Sequence, residues 1–224
     1  MIHSGIVDVR MPDKELTQAL YSQFLKFKPN KGDLRRIAIL ESAIECIATI
    51  GVESSTLEAI GKKNKMTKAH VAYYYTDRKT IVEAAVKFVV ATVQSFTVRH
   101  VKEAEDETQH LTAFIDGTFD WIATFPKHAS VILLLYYYSS YDTFYRRMHT
   151  EIRTLGAERL AATVIPLLPT SKAKLAPALS KMVQSILTGH ILDHLTTNSP
   201  LSLEQLRKKT HKEISELIQA FIDD

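Results

Sequence analysis

Apolar residues recur along this chain at spacings of three and four, with no sustained alternation of the kind that marks a strand. The pattern predicts helix after helix. In the leader, Pro12 and Asp13 are helix-start residues, and Leu16, Ala19, Leu20, Gln23, Phe24 and Phe27 form a loose apolar face. The turn formers of "KPNKGD", Lys28 to Asp33, then break it. Residues 1–32 are therefore expected to be a leader, either one extra helix packed on the body, the preferred reading, or an arm reaching along DNA. From Asp33, expected as an N-cap, the stripe Ile37, Leu40, Ile44, Ile47 and Ala48 predicts a core-facing helix that ends at Gly51 in a left-handed C-cap. Ser55 or Thr56 caps a short second helix with Leu57 and Ile60 inward. Thr67 caps a third, "KAHVAYYY", and Asp77 caps a fourth that runs from Arg78 to about Lys102.

The periodicity continues to the end of the chain. Leu111, Phe114, Ile115, Thr118, Phe119 and Ile122 predict a helix stopped by Pro126. Further helices are expected from about Lys127 into the tyrosines and from about Ser140 to Val164. Pro166 and Pro169 enclose a loop, and two more helices follow, the last capped by Ser202. The fold class read from this pattern is all-α: an N-terminal three-helix domain with a helix-turn-helix at 33–80, then a larger helical domain at 81–224.

Charge changes the picture more than composition does. The net charge of the 224-residue chain is +3, but Gly61 to Thr80 alone carries +5, from Lys62, Lys63, Lys65, Lys68, Arg78 and Lys79 against Asp77. Clustered cations neutralise phosphates and release counterions, so duplex DNA is the first partner to consider. The single Cys46 excludes an intramolecular disulfide and a cysteine-based zinc cluster, and it falls in an apolar pattern as a small buried hydrophobe. There is no signal-peptide layout, and no apolar run approaches the ~20 residues of a membrane span; the longest compact one is Val131 to Tyr138. A reduced, cytoplasmic protein with no membrane partner is expected.

Two short helices joined by a tight turn make a helix-turn-helix, whose second helix lies in the major groove with its first residues on base edges. Thr56 and Thr67 each offer a hydroxyl and nearby backbone N–H groups, and those at Thr67 can reach a phosphate. Lys68, small Ala69 and His70 sit early in the reading helix. Val71 is expected inward and Tyr75 in the core, while Tyr73 and Tyr74 are long enough to reach phosphates or thymine methyls. Arg78 and Lys79 open the next helix, where they can grip the DNA backbone.

The stretch "RRIAILESAIECIATIGVESSTLEAIGKKNKMTKAHVAYYYTDRKTIVEA", roughly Asp33 to Ala84, resembles the tetracycline-repressor (TetR) family of transcription regulators. A first helix ending at Gly51, a Thr56-led second helix with Ile60, a Thr67-Lys68 start, and Tyr75-Thr76-Asp77-Arg78 followed by Ile81 carry the likeness. Four departures stand out, the first being Tyr75 in place of the usual phenylalanine. Asn64-Lys65 replaces the usual Ala-Gly of the turn, so Lys65 is strained if the position needs a positive φ. Ala72 holds the usual place of the phosphate-gripping tyrosine, with Tyr73 one position along, and Arg78 replaces the usual lysine.

The resemblance implies a ligand-sensing, dimerising body. Within it, aromatics with polar tips are dense, and Trp121, Phe125, Tyr137 and Tyr141 are the candidate lining of a pocket for a small apolar or amphipathic ligand. Leu179, Met182, Val183, Ile186, Leu187, His190 and Ile191 on the penultimate helix, with Leu206, Ile214, Leu217, Ile218 and Phe221 on the last, are candidates for a homodimer seam. Such a seam would set two reading heads ~34 Å or slightly more apart, on a palindromic operator. His190 and His194 share a helix face but lack a third ligand, so no metal or other cofactor is expected. The function expected is a DNA-binding transcriptional regulator, a repressor released or retuned by ligand. The alternatives are a helical protein-interaction module without operator binding and, with no catalytic signature in its favour, a helical enzyme.

Overall fold

The computed structural model describes residues 30–223, so the expected leader helix at residues 12–27 lies outside the described residues. Among the described residues all regular structure is helical. Three helices form the N-terminal part: α1 (Lys31–Ser54), α2 (Leu57–Lys63) and α3 (Lys68–Tyr74). The long α4 (Arg78–Glu103) leads into α5 (His110–Thr124), α6 (Pro126–Tyr141) and α7 (Thr143–Val164). Two short 3₁₀ segments occupy the loop around Pro166 and Pro169, before α8 (Ala176–Thr196) and α9 (Leu203–Asp223).

Local chemistry accounts for most of these boundaries. Asn30, rather than Asp33, is the N-cap of α1: its side chain accepts from the Asp33 backbone N–H while the Asp33 carboxylate accepts from the Asn30 N–H, a reciprocal capping box. Thr56, Thr67 and Asp77 cap α2, α3 and α4 by accepting from the N–H groups of Ala59, His70 and Thr80. The backbone N–H and then the hydroxyl of Thr80 hold the Asp77 carboxyl below its ordinary pKa. Ser202 and Gln205 close the same reciprocal box at α9. Pro126 opens α6 at its first turn, where a missing N–H costs nothing, and Asp142 caps α7. Gly51 has the expected positive φ of 77°, but its ψ of 162° is extended. The helix therefore kinks there instead of closing in a left-handed cap.

The core of the N-terminal helices is continuous with that of the body. Ile39, Ala43, Ile44 and Cys46 of α1, Val71 of α3 and Tyr75 pack in one cluster with Val82, Val86, Val89 and Phe96 of α4. Trp121 of α5 and Val131 and Leu135 of α6 complete it. The α1 stripe is thus centred on Ile39, Ala43 and Cys46, with the expected Ile37 and Ala48 at its half-buried edges. Burial pushes the Cys46 thiol pKa up. A second cluster joins α5, α7, α8 and α9 through Ile115, Phe119, Leu160, Leu179, Val183 and Ile214. One 18-residue stretch of α4 has a mean hydropathy of 1.5, long and apolar enough by composition to cross a bilayer although charged residues interrupt it. It carries that apolar surface as the central strut of the shared core, packed along α5 and against α1 and α6.

Between α2 and α3 the chain turns so tightly that a Cβ on Gly61 would lie 2.7 Å from the Met66 carbonyl oxygen and 3.3 Å from Val71 Cγ2. Backbone cannot step aside as a flexible side chain can, so Gly61→Ala should destabilise the protein by about 1–3 kcal/mol. The expected readout is a lower urea midpoint at unchanged slope; a variant as stable as the parent would refute the close packing of this turn.

Candidate nucleic-acid interface and ligand cavity

The turn between α2 and α3 is fixed from behind. The Asn64 amide donates to the Ala38 carbonyl at 2.5 Å and to Ser42 Oγ at 2.7 Å, both on α1. Lys65 then takes a φ of +54°, so the left-handed position falls on a lysine. Val71 is fully buried and Tyr75 nearly so, with burial pushing the phenol pKa up to about 12. With these anchors inward, Thr67, Lys68, Ala69 and His70 lie exposed along the start of α3, and Tyr73 is 82% exposed. Thr56 is exposed at the start of α2.

The other expected contacts are placed differently. Tyr74 is half-buried against the core, with the Arg36 guanidinium over its ring at 5.8 Å, so its ring is not presented as Tyr73 is. Arg78 is exposed but occupied: it pairs with Glu53 at 2.7 Å and donates to the Glu53 carbonyl at 3.1 Å. Lys79 Nζ sits 5.1 Å from the centre of the Phe144 ring on α7. Lys63 pairs with Glu45 at 2.6 Å, and Lys127 reaches the same carboxylate. Those hydrogen bonds, that from Lys63 first, hold Glu45 below its ordinary pKa. Lys62, Lys65 and Lys68 keep exposed charges without an ion-pair partner among the described residues.

A cavity of about 190 Å³ opens among α4, α5, α6, α7 and α8. Val93, Phe114, Trp121, Ile132, Ile152 and Leu187 supply much of its apolar wall. Of the four aromatics expected to line a pocket, Trp121 does. Phe125 is buried in the core, stacked on His128 with ring centres 4.6 Å apart. Tyr137 and Tyr141 are 62% and 57% exposed, on the outer side of α6. The tyrosine that faces the cavity is Tyr136, one position away, because each residue advances a helix by about 100°. Gln94, His149, Arg153, Arg159 and Gln184 also line it, and none was singled out from sequence. Burial, and then the charge of Arg153, lower the His149 pKa.

A chain of buried polar contacts leaves this cavity towards α1. The Trp121 indole N–H donates to Thr92 Oγ1 at 2.9 Å. Thr92 Oγ1 lies 3.5 Å from His128 Nδ1, and His128 Nε2 lies 3.2 Å from Glu41 Oε2 on α1. Elsewhere, His190 is tied to α9 through Thr210 at 2.7 Å and Glu213 at 3.0 Å. Leu179, Val183 and Leu187 of the expected dimer strip are buried within the chain, while Met182 remains exposed. The outer side of α9 carries the Glu204–Lys208 and Lys212–Glu216 pairs, a more polar surface than its apolar strip suggested.

Comparison with solved structures identifies the architecture. A TetR-family regulator from Rhodococcus sp. superposes with a TM-score of 0.67 at 15% identity, over 82% of this chain and 98% of that one. The chain has the TetR-family fold. A transcriptional regulator from Saccharomonospora viridis, solved in complex with choline, matches with a TM-score of 0.69 at 17% identity, over 81% of this chain and 95% of that one. In sequence, the BetI helix-turn-helix transcriptional regulator of Stenotrophomonas maltophilia is 28% identical over 95 residues, 41% of this chain and 48% of that protein. BetI of Burkholderia cenocepacia is 22% identical over 188 residues, 83% of this chain and 95% of that protein. No protein-family model matches the sequence.

Within this TetR-family fold the strained residue of the reading turn is Lys65. A left-handed conformation costs a side-chain-bearing residue about 1–2 kcal/mol, partly offset in glycine by its freer unfolded chain. Lys65→Gly should raise stability by about 0.5–1 kcal/mol, and Lys65→Ala should not. Thermal and urea denaturation of the two variants compare them directly; equal effects would show that φ is not the source of the strain.

Proposed function

We propose that this chain is a DNA-binding transcriptional regulator, acting as a repressor, that binds a palindromic operator as a homodimer and is released or retuned by a small molecule. The observation that carries the reading is the α2–α3 unit. Asn64, Val71 and Tyr75 pin its inner side to α1 and the shared core, while Lys68, Ala69, His70 and Tyr73 share an outward surface beside Lys62 and Lys65, which lack an ion-pair partner among the described residues. Thr56 and Thr67 belong to the same surface, each at the start of its helix. Arg78 and Lys79 serve it indirectly, by tying the start of α4 to the end of α1 and to α7. The helix-turn-helix regulators among its relatives support the same reading, as does the family's fold. A protein of this kind works in the cytoplasm.

In selection of bound fragments from genomic DNA, a palindromic site should emerge, with affinity falling steeply as salt rises. Lys68→Ala and Tyr73→Ala should each weaken operator binding about tenfold or more, and the lysine variant should also flatten the salt dependence by about one counterion. Retained affinity in both variants, with folding intact, would move the reading surface elsewhere.

The polar chain from Trp121 through Thr92 and His128 to Glu41 supplies a route by which cavity occupancy reaches the reading head. A ligand against the indole acts on a side chain that shares Thr92 with His128, and His128 sits where α6 meets α1. Thr92→Val removes the shared hydroxyl and leaves the indole N–H unpaired, at about 1–3 kcal/mol of stability. Operator affinity in this variant should survive but cease to respond to ligand, whereas Thr92→Ser should respond as the parent does. An unaltered response in the valine variant would show that the signal travels by another path.

A further inference from the structure

We infer that the cavity ligand is a small amphipathic anion, an apolar body carrying one oxyanion head, and not a choline-like cation. The inference rests on the cavity being the ligand site and concerns what that site accepts. Its wall contains two guanidinium groups, Arg153 and Arg159, and no aspartate or glutamate. Neither arginine has an ion-pair partner among the described residues. Arg153 donates from one terminal nitrogen to Thr188 Oγ1 at 2.8 Å, leaving its other terminal nitrogen and Nε to serve a ligand. Gln184 donates to the Arg153 carbonyl at 3.1 Å, which fixes the backbone at that point.

Arg159 is oriented by a neutral group. With the Gln94 amide turned to present its oxygen, that oxygen accepts from both terminal guanidinium nitrogens, at 2.7 and 3.1 Å. The amide holds the guanidinium in place but does not cancel its charge. His149 completes the polar side: its Nε2 is buried without a hydrogen-bond partner, and its ring meets that of Tyr136 edge-on at 4.3 Å. Two cations without a counter-charge and an unpaired buried nitrogen on a largely apolar wall are costly unless a complementary group fills the space. Arginine forks match carboxylate and phosphate oxygens in charge and geometry. A quaternary ammonium would meet like charge here and no carboxylate to balance it.

Trp121, the only tryptophan in the chain, lines the cavity and reports on it. The test titrates tryptophan fluorescence of the full-length protein at neutral pH with octanoate, octyl phosphate, octanol, octyltrimethylammonium and choline. At least one of the two anions should saturate the signal at a concentration about tenfold or more below that of octanol, with both cations weaker still. The anion that gains more identifies the head group. In Arg153→Gln/Arg159→Gln the anion advantage should vanish while octanol binds as before; Arg153→Lys, which keeps the charge, should retain most of it. Octanol binding with no anion preference, a cation binding as well as the anions, or a preference that survives the double glutamine change would overturn the inference while leaving the cavity as a ligand site. No response to any probe would remove the ligand site as well.

Discussion

Everything that a regulator of this shape can do depends on one packing constraint: the reading head has no core of its own. Ile39, Ala43, Val71 and Tyr75 are buried in the same cluster as Val86, Val89, Trp121 and Leu135, and α4 runs through the middle of it. A three-helix unit of this size would bury too little apolar surface to be robust alone. Sharing α4, α5 and α6 supplies the missing surface. The same sharing forbids a free hinge, since interiors packed at crystal-like density respond to a displaced side chain by moving neighbouring elements together. A shift of α6 is therefore also a shift of α1, and with it of α3.

Polar groups within that apolar contact sharpen the constraint. Thr92, Trp121 and His128 are all buried, and the carboxylate of Glu41 on α1 meets the imidazole across the boundary between head and body. Burying such groups unpaired costs more than burying methyl groups, so each must keep a partner whichever way the helices lie. That makes the contact choosy in a way pure hydrophobic packing is not. Sliding α6 along α1 breaks a named hydrogen bond instead of exchanging one methyl contact for another. Bistability, rather than gradual deformation, is what a sensor needs from its joint.

The sequence made some of this legible and hid the rest for identifiable reasons. Caps are local, and Thr67, Asp77 and Ser202 announce themselves because a short oxygen-bearing side chain three residues before a free N–H has few other uses, whereas Thr56 is told from Ser55 only by the structure, where Ser55 donates to the Gly51 carbonyl instead. Asn30 was missed in favour of Asp33 because both residues take part in one reciprocal box, and either order reads plausibly from the string alone. The inward role of Val71 and Tyr75 followed from spacing. Tyr136, Tyr137, Tyr138 and Tyr141 did not sort themselves, since α6 is apolar or aromatic around nearly its whole circumference and no stripe marks the cavity side. Arg153 and Arg159 were invisible for the opposite reason: on a helix as polar as α7, an arginine reads as solvated until its neighbours are known.

That last blindness bears on what relatedness can and cannot carry over. At 15–17% identity the chain still superposes on solved structures over most of its length, so the fold rests on features such as periodicity, caps and turns. Those features tolerate wide substitution, because any apolar residue of about the right size holds an inward position. A cavity wall is under no such averaging. One guanidinium in place of a neutral side chain can reverse which ligand charge is welcome without altering the helix or its core face. Similarity of shape is therefore silent on ligand charge, whereas the wall is not. Arg153 and Arg159 both stand at the cavity without a carboxylate to answer them. Their hydrogen bonds to Thr188 and Gln94 orient the two guanidiniums without cancelling their charge, and that remaining charge is better explained by what enters than by what folds.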